Sequence, residues 1–533
     1  MKRKSERFCK DKVWDRLSQI TIITFVIVGM IYAFNRGQFS GEACSYVIAT
    51  ISIQQHGSLV IKDSDIERMR AEGYPDYLAD RVRDRVELQR YPQDIYGNSY
   101  PWYMGTYSIS VIPIKMINSF LGVPQTYSHH VSNVVYYMFA LWVVYFCFKQ
   151  SRKNVFLTIL LLACSPTFVY VTWASAEMFI CSLLIISLVF FVNGNRYLAA
   201  FFISLASTLN LTIGGFGILM IVDYFISVYQ HERCLNEDKL RISCIIQRHW
   251  KTTFGLAVCF FPALISPLWS LYRYRRISPM INASDISLLW PQRFFAYLVD
   301  LNFGFLPYFP ILILLFFAIS IIGIIKRERQ IIILFLGFII TVFLYSGIFH
   351  INSGMTAMSR YNAWSAPFMI IAVTSQYENL FKKKYKGIVL KHIIAAIIAI
   401  SAVVTLTSTK IVMRSTGGSY IHFTPIARFF LDNAPALYNP YPFTFINRNE
   451  HVDGGYHFGS TSPYIYFSDS GKARKILIPA MFIYSEEFID SQLSASEDDI
   501  AWLKEQLLRI KSEYSGKWRY LNIPRYRNIY ENS

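Results

Sequence analysis

The sequence predicts a mainly α-helical, polytopic transmembrane helix bundle followed by a small C-terminal α/β domain. Three observations carry that expectation. The 533 residues are 53% hydrophobic and 17% aromatic, above the usual share for a globular chain. The apolar residues gather into runs of roughly 17 to 22, the length a helix needs to cross about 30 Å of hydrocarbon. Those runs stop near Lys410, and the composition beyond it is that of an ordinary soluble domain.

Crossings are expected near 17–35, 131–148, 154–173, 177–193, 197–213, 215–229, 253–272, 308–325, 330–349, 361–377 and 391–409, about eleven in all. An odd number puts the termini on opposite sides, and the basic start Met1-Lys-Arg-Lys-Ser is cytoplasmic by the positive-inside rule. The segments this places in the cytoplasm (1–16, 149–153, 193–196, 230–252, 326–329 and 378–391) hold 24 Lys and Arg against 8 Asp and Glu, whereas 36–103 holds 8 against 10. The net charge of +17 is thus a topology signal, and no nucleic-acid partner is expected. Of the cysteines only Cys44 falls in an outer loop, so no disulfide framework is built. The first run shows no small-residue cleavage pattern and is expected to remain as an anchor. The expected domains are 1–409, whose first outer loop 36–130 carries surface helices, and 410–533 outside the membrane.

Taken in order, the first run ends in Arg36-Gly-Gln-Phe-Ser-Gly-Glu42. A carboxylate where a helix surfaces can act as a base on a substrate whose tail stays in the bilayer. Asp76 to Gln89 reads as a helix with Leu78, Val82 and Val86 on one stripe and Arg81, Arg83, Asp84 and Arg85 as a solvated face. Tyr100-Pro-Trp102-Tyr opens an apolar segment to Leu121, interrupted by Pro113 and Lys115; it is expected to lie at the interface or re-enter. His129 and His130 suit a metal or a phosphate, or plain interfacial hydrogen bonds. Glu177 opens a helix, where an acid serves the helix dipole or, this near the hydrocarbon, a function.

The outer loop 273–307 holds Arg273, Arg275 and Arg276, then Trp290-Pro-Gln-Arg293 and the stretch from Asp300 through Gly304 and Tyr308 to Pro310. Arginines on the side that topology disfavours suit an anionic headgroup or phosphate. Asn282-Ala283-Ser284 is an outward glycosylation sequon, relevant only in a eukaryotic host. In the last outer loop Gly354 leaves room for a ligand, and Arg360-Tyr361 stands ready to hold a phosphate bidentately. Beyond Lys410, Thr424-Pro reads as a helix N-cap, Pro463–Phe467 and Lys475–Ile478 as strands, and Ser496 with Asp499 as a capping box before a helix buried through Ile500, Leu503, Leu507 and Ile510.

These features together resemble the GT-C superfamily of integral-membrane glycosyltransferases, which includes the lipid A aminoarabinose transferase and the protein O-mannosyltransferases. The resemblance rests on Gly41-Glu42 followed by Tyr46, the long first outer loop, Glu177, the Gly304 to Pro310 turn, Arg360-Tyr361 and the outer C-terminal domain. It implies a polyprenyl-phosphate-linked sugar donor, a cell-envelope glycan or lipid acceptor such as a polysaccharide or lipopolysaccharide, and an inverting transfer at the outer face of a bacterial inner membrane. Mapped onto this chain, the catalytic residues are Glu42 as base and Glu177 as supporting acid or metal contact. Arg360, Tyr361, Arg293, Asp300, His129, His130, Trp102 and Tyr308 are the candidate substrate-binding residues, with Arg360 on the donor phosphate. A divalent cation, Mg or Mn, is an open option. Two departures stand out: many relatives carry an Asp-Glu pair where this chain has Gly41-Glu42, and the aminoarabinose transferase type has a Lys before its Pro-rich turn where this chain has Ser99-Tyr-Pro-Trp.

The competing class is a transporter or lipid flippase using Glu42 and Glu177 for protons or substrate; against it stand the lack of an inverted repeat and the scarcity of charge deep in the helices. A glycan polymerase or ligase would place its largest outer loop late, and a purely structural protein would tolerate Glu42→Gln.

Overall fold

The computed structural model describes residues 2–39, 42–235, 248–279, 289, 291–348, 351, 358–380, 385–416, 420–452, 461–481, 493–512, 518–524 and 529–531. Gly41, Trp290, the sequon at 282–284 and Gly354 lie outside them. The chain divides into two compact units, 1–289 with 309–349 and 360–406, and 290–308 with 350–359 and 407–533. The second therefore gathers the later part of one expected outer loop and most of another along with the C-terminal stretch.

In the first unit the helices are α1 (Lys2–Arg36), α2 (Ala43–His56), α3 (Asp63–Ala71), α4 (Asp76–Glu87), α5 (Thr106–Phe120), α6 (Ser128–Cys147), α7 (Arg152–Ala163), α8 (Glu177–Val192), α9 (Arg196–Ser207) and α10 (Gly214–Leu235), then Trp250–Tyr274, Pro310–Ile325, Arg329–Ser346, Arg360–Leu380 and Tyr385–Ser415. Helix lies on each of the eleven expected runs. Among the described residues six are long and apolar enough to cross a membrane, and α7 with the turn Pro166–Thr172, bent by 54°, makes a seventh. The count falls short of eleven by four: α8, α9 and Pro310–Ile325 are only 16, 12 and 16 residues long, and Arg360–Leu380, though 21 residues, is too polar. At 1.5 Å per residue the three short helices reach about 18–24 Å, less than the hydrocarbon thickness.

The spans are apolar on their exposed faces as well as their buried ones. α1 exposes Ile20, Ile23, Ile27 and Ile31 while burying Ile22, Phe25 and Ala33, which makes sense only where the surroundings are apolar too. α8 is buried along nearly its whole length and packs against α6, α9 and Arg360–Leu380. α5 has 15 residues with Pro113 inside it, too short to cross on its own. Its Lys115 is buried and paired with Glu72 at 2.6 Å, so the charge interrupting this apolar segment is satisfied within the protein.

In the second unit β1 (Tyr464–Phe467), β2 (Ala473–Ile478) and β4 (Arg519–Asn522) form an antiparallel sheet in the order β1-β2-β4, and β3 (Leu493–Ala495) pairs with β5 (Ile529–Glu531). Thr424 Oγ1 accepts from the Ala427 amide to cap Pro425–Asn433, and Ser496 caps Glu497–Ser512 through the Asp499 amide. Leu503 and Leu507 pack with Ile476 and Ile478 of β2. Gly304 admits no side chain: a Cβ there would stand 2.7 Å from the backbone N and O of Asp300, so the turn that returns the chain after Pro291–Val299 requires glycine.

Candidate active site

Two chain segments that carry acids are held side by side. After α1 the Gln38 amide donates to Thr172 O (2.7 Å), and the Ala174 amide donates to Gln38 O (3.1 Å). α6 supports this bridge: His130 Nε2 lies 3.3 Å from Gln38 O, and Asn133 Nδ2 donates to Trp173 O at 2.6 Å. Glu42 follows one segment and Glu177 the other.

Glu42 stands at the N-cap of α2 but caps nothing with its side chain. Its carboxylate is instead gripped by Arg85 of α4, with Nη1 2.6 Å from Oε2 and Nη2 3.1 Å from Oε1, while Ser45 Oγ donates to Oε2 at 3.1 Å. Burial disfavours the charged carboxylate, but Arg85, with Ser45 and Arg81, outweighs it and holds the Glu42 pKa below the ordinary value. Glu42 is therefore an ionised, half-buried carboxylate with a fixed counter-ion.

Glu177, at the first position of α8, is buried and meets Arg360 through one contact of 3.3 Å between Oε1 and Nη1. Glu177 Oε2, Arg360 Nε and Trp364 Nε1 are buried with no hydrogen-bond partner among the described residues. All three residues line one cavity of about 440 Å³. Buried polar atoms are ordinarily satisfied, so an orphaned acceptor and two orphaned donors on a common wall suit a polar ligand. Tyr46 and Tyr103 form another part of the wall, their rings stacked at 4.9 Å and 15°. Burial pushes the Tyr103 phenol up, Arg360 opposes this, and Glu42, Tyr361 and Glu177 add to it. The stacked tyrosines thus lie within electrostatic reach of both acids and of Arg360. Tyr361 stacks on Tyr345 at 4.7 Å, and Trp102 completes the rim.

A second cavity, of about 640 Å³ and lined almost wholly by apolar side chains, runs between α10 and Trp250–Tyr274; Leu211 and Leu344 line it and the polar cavity alike.

The structure thus brings Glu177, Arg360, Tyr361 and Trp102 to the lining of one cavity; Glu42 is not among the lining residues, and its link to them is its electrostatic reach to Tyr103. His129 and His130, read from sequence as candidate substrate contacts, are fully buried in the packing of α6 instead. His129 Nε2 sits 3.1 Å from Thr50 Oγ1 of α2, and His130 supports the Gln38 bridge. Arg293, Asp300 and Tyr308 belong to the second unit. There Arg293 lies over the Tyr441 ring at 5.1 Å, Asp300 accepts from the Asn302 amide and Tyr438 Oη, and Tyr308 Oη donates to Asn302 O. Among the described residues no three of His, Cys, Asp or Glu gather to hold a metal ion, and Glu42 and Glu177 each already face an arginine.

Sequence reasoning missed Arg85, treating it as part of a solvated face. The signal was present: Leu78, Val82 and Arg85 fall at i, i+4 and i+7, one face of a helix, and Leu78 and Val82 are buried. Tyr103 and Trp364 were also missed, because a lone aromatic in an apolar stretch looks like core.

No family model matches the sequence, and no curated protein is similar to it. Among solved structures the chain is similar to the crystal structure of ArnT from Cupriavidus metallidurans in the apo state, with a TM-score of 0.42 and 11% identity over 73% of this chain and 75% of that one. At that similarity the likeness by itself assigns no function to this chain.

Proposed function

We propose that the chain is a membrane glycosyltransferase that moves a sugar from a polyprenyl-phosphate-linked donor to a hydroxyl of a cell-envelope glycan or lipid at the outer face of the inner membrane, with inversion. The observation that carries this reading is the polar cavity with Arg360 and Glu177 on its wall, which shares the lining residues Leu211 and Leu344 with an apolar groove. One ligand with a charged head and a long apolar tail suits both.

In the reaction the acceptor oxygen attacks the anomeric carbon from the face opposite the phosphate. The new C–O bond forms as the old one to the phosphate breaks, and the phosphate leaves with the bonding pair. Arg360 stabilises that negative charge, which a preorganised cation in a dry site does best. Glu42 takes the acceptor proton, one of its contacts to Arg85 or Ser45 giving way to the incoming hydroxyl. Glu177 keeps Arg360 on the wall, and Tyr46, Tyr103 and Trp102 offer flat faces to the sugar. No step is routed through a metal ion.

The test compares cell-surface glycans by mass spectrometry in cells carrying wild type, Glu42→Gln or Arg360→Ala at equal membrane abundance. A sugar-sized mass gained only with wild type supports the reading. Equal glycans from wild type and Glu42→Gln would remove Glu42 as base. No gain from folded wild type with donor present would favour transport, and dependence on a transmembrane gradient would identify it.

A further inference from the structure

The second unit contains a polar cavity of about 800 Å³ that the transfer chemistry does not use. One side is cationic. Arg428, on Pro425–Asn433, and Arg448, on Pro442–Asn449, both line it, as do His422 and His451, whose rings lie 4.6 Å apart. Arg448 is fully buried and donates to His422 O, which fixes the loop bearing that imidazole. His451 donates from Nδ1 to Ile421 O at 2.9 Å and, just past the C-cap Glu450 of Pro442–Asn449, holds the left-handed φ of +53° that commonly ends a helix. That bond leaves Nε2 as the ring's other polar atom.

The charge on this side is incompletely matched. Arg428 approaches Asp469 only to 3.7 Å, longer than a hydrogen bond, and the Asp469 side chain is 82% exposed. His422 feels burial first and then His451, Arg428 and Arg448, all depressing its pKa, with no carboxylate opposing them. An anion placed here would meet the Arg428 guanidinium, whose approach to Asp469 is longer than a hydrogen bond. The rest of the lining includes Tyr464, Phe467, Asn449 and Ser462, together with the Glu450 carboxylate. The volume falls in the range of small-molecule sites and far exceeds what a bare oxyanion fills. Aromatic faces interleaved with amide and hydroxyl groups suit the apolar faces and hydroxyls of a sugar ring. An extended peptide along the edge of β1 fits less well, because Asn449 Nδ2 already donates to Ile465 O at 3.0 Å on that edge.

We propose that this cavity binds an anionic saccharide, its carboxylate or phosphate between Arg428, His422 and His451 and its ring against Tyr464. The inference stands apart from the transferase reading, since it concerns the other compact unit and is measured as binding.

The experiment is isothermal titration of the full chain in nanodiscs with glucuronic acid, glucose 6-phosphate, glucose and inorganic phosphate. At least one charged sugar should bind about tenfold or more tighter than both glucose and phosphate. Arg428→Gln should weaken it by about tenfold, and Asp469→Asn, which frees Arg428 from its competitor, should strengthen it by roughly two- to fivefold. Both side chains are at least partly exposed, so neither variant threatens the fold. Phosphate binding as tightly as the phosphosugar would reduce the cavity to a simple anion site, and a peptide displacing the sugar at β1 would reassign it. Charged-sugar affinity unchanged by Arg428→Gln, or no binding by any of the four, would overturn the proposal.

Discussion

Arg85 holds Glu42 by both carboxylate oxygens, at 2.6 Å and 3.1 Å, across more than forty residues of sequence. The pair ties α4 to the start of α2 and sets the protonation of the acid proposed as base. Burial alone would raise the Glu42 pKa, and Arg85 reverses that.

The first prediction follows from the sign of that reversal. A carboxylate with a depressed pKa is ionised above it, so transfer by wild type should persist well into the acid range and fall only as pH drops through the Glu42 pKa. In Arg85→Met the burial remains without its counterweight, the pKa rises, and the acid limb of the rate profile should move up by at least about one pH unit. A pH–rate profile of both proteins in nanodiscs checks this. Coincident acid limbs would mean that Glu42 is not the group titrating in the rate.

Arg360 and Glu177 allow a second prediction. Lysine keeps the charge of Arg360 but loses the planar fork, so Arg360→Lys should lose roughly 10²-fold in transfer while its melting temperature stays close to wild type. Arg360→Ala should be inactive as well and also less stable, because it leaves the Glu177 carboxylate buried without its partner, a loss of about 3–5 kcal/mol. A Lys variant as active as wild type would confine Arg360 to a structural role.

How far the sequence spoke depends on whether a feature is local. The apolar runs are local, and helix lies on each, since a run of Leu, Ile and Phe has little alternative in lipid. How many cross unaided is less local: α8 is apolar all round because protein surrounds it, whereas α9 exposes Tyr197, Leu198 and Phe201, and a hydropathy pattern cannot separate the two settings. Glu177 and Arg360 were each legible as acids or bases near the membrane surface, but their meeting depends on α8 packing against Arg360–Leu380, which brings together residues 183 positions apart. The roles of His129 and His130 depend on packing in the same way. Read locally they suit either a ligand or plain hydrogen bonds; in the fold one nitrogen of each ring meets Thr50 or Gln38.

The apolar groove carries a third prediction. Ala257 lines it and is exposed, so a larger side chain there narrows the groove without disturbing the core. Ala257→Trp should raise KM for a long-chain donor by roughly tenfold, leave kcat near wild type, and shift stability by less than about 0.5 kcal/mol. A donor with a shortened tail should lose less to the substitution than the full-length one. If both are affected equally, the groove does not hold the tail.

A buried lysine gives the last prediction, and its sign runs opposite to that of a salt-bridged acid. Lys475 of β2 is fully buried, donating to Pro435 O and Asn522 Oδ1, both at 2.5 Å, with the Tyr520 ring at 4.8 Å. No carboxylate is among these partners, and burial pushes its pKa down to about 7. In the unfolded chain lysine titrates near 10.4. Between those values the unfolded chain carries a proton that the native one lacks, so the stability of this sheet should rise with pH by up to about 1.4 kcal/mol per unit and level off above roughly pH 10. Below pH 7 both states are protonated and the dependence vanishes. Hydrogen exchange at the β2 amides from pH 6 to 10, corrected for intrinsic rates, should show protection growing across that window in wild type. Lys475→Met, which keeps most of the side-chain volume and cannot titrate, should flatten it; equal slopes in the two proteins would show that Lys475 remains charged in the folded sheet.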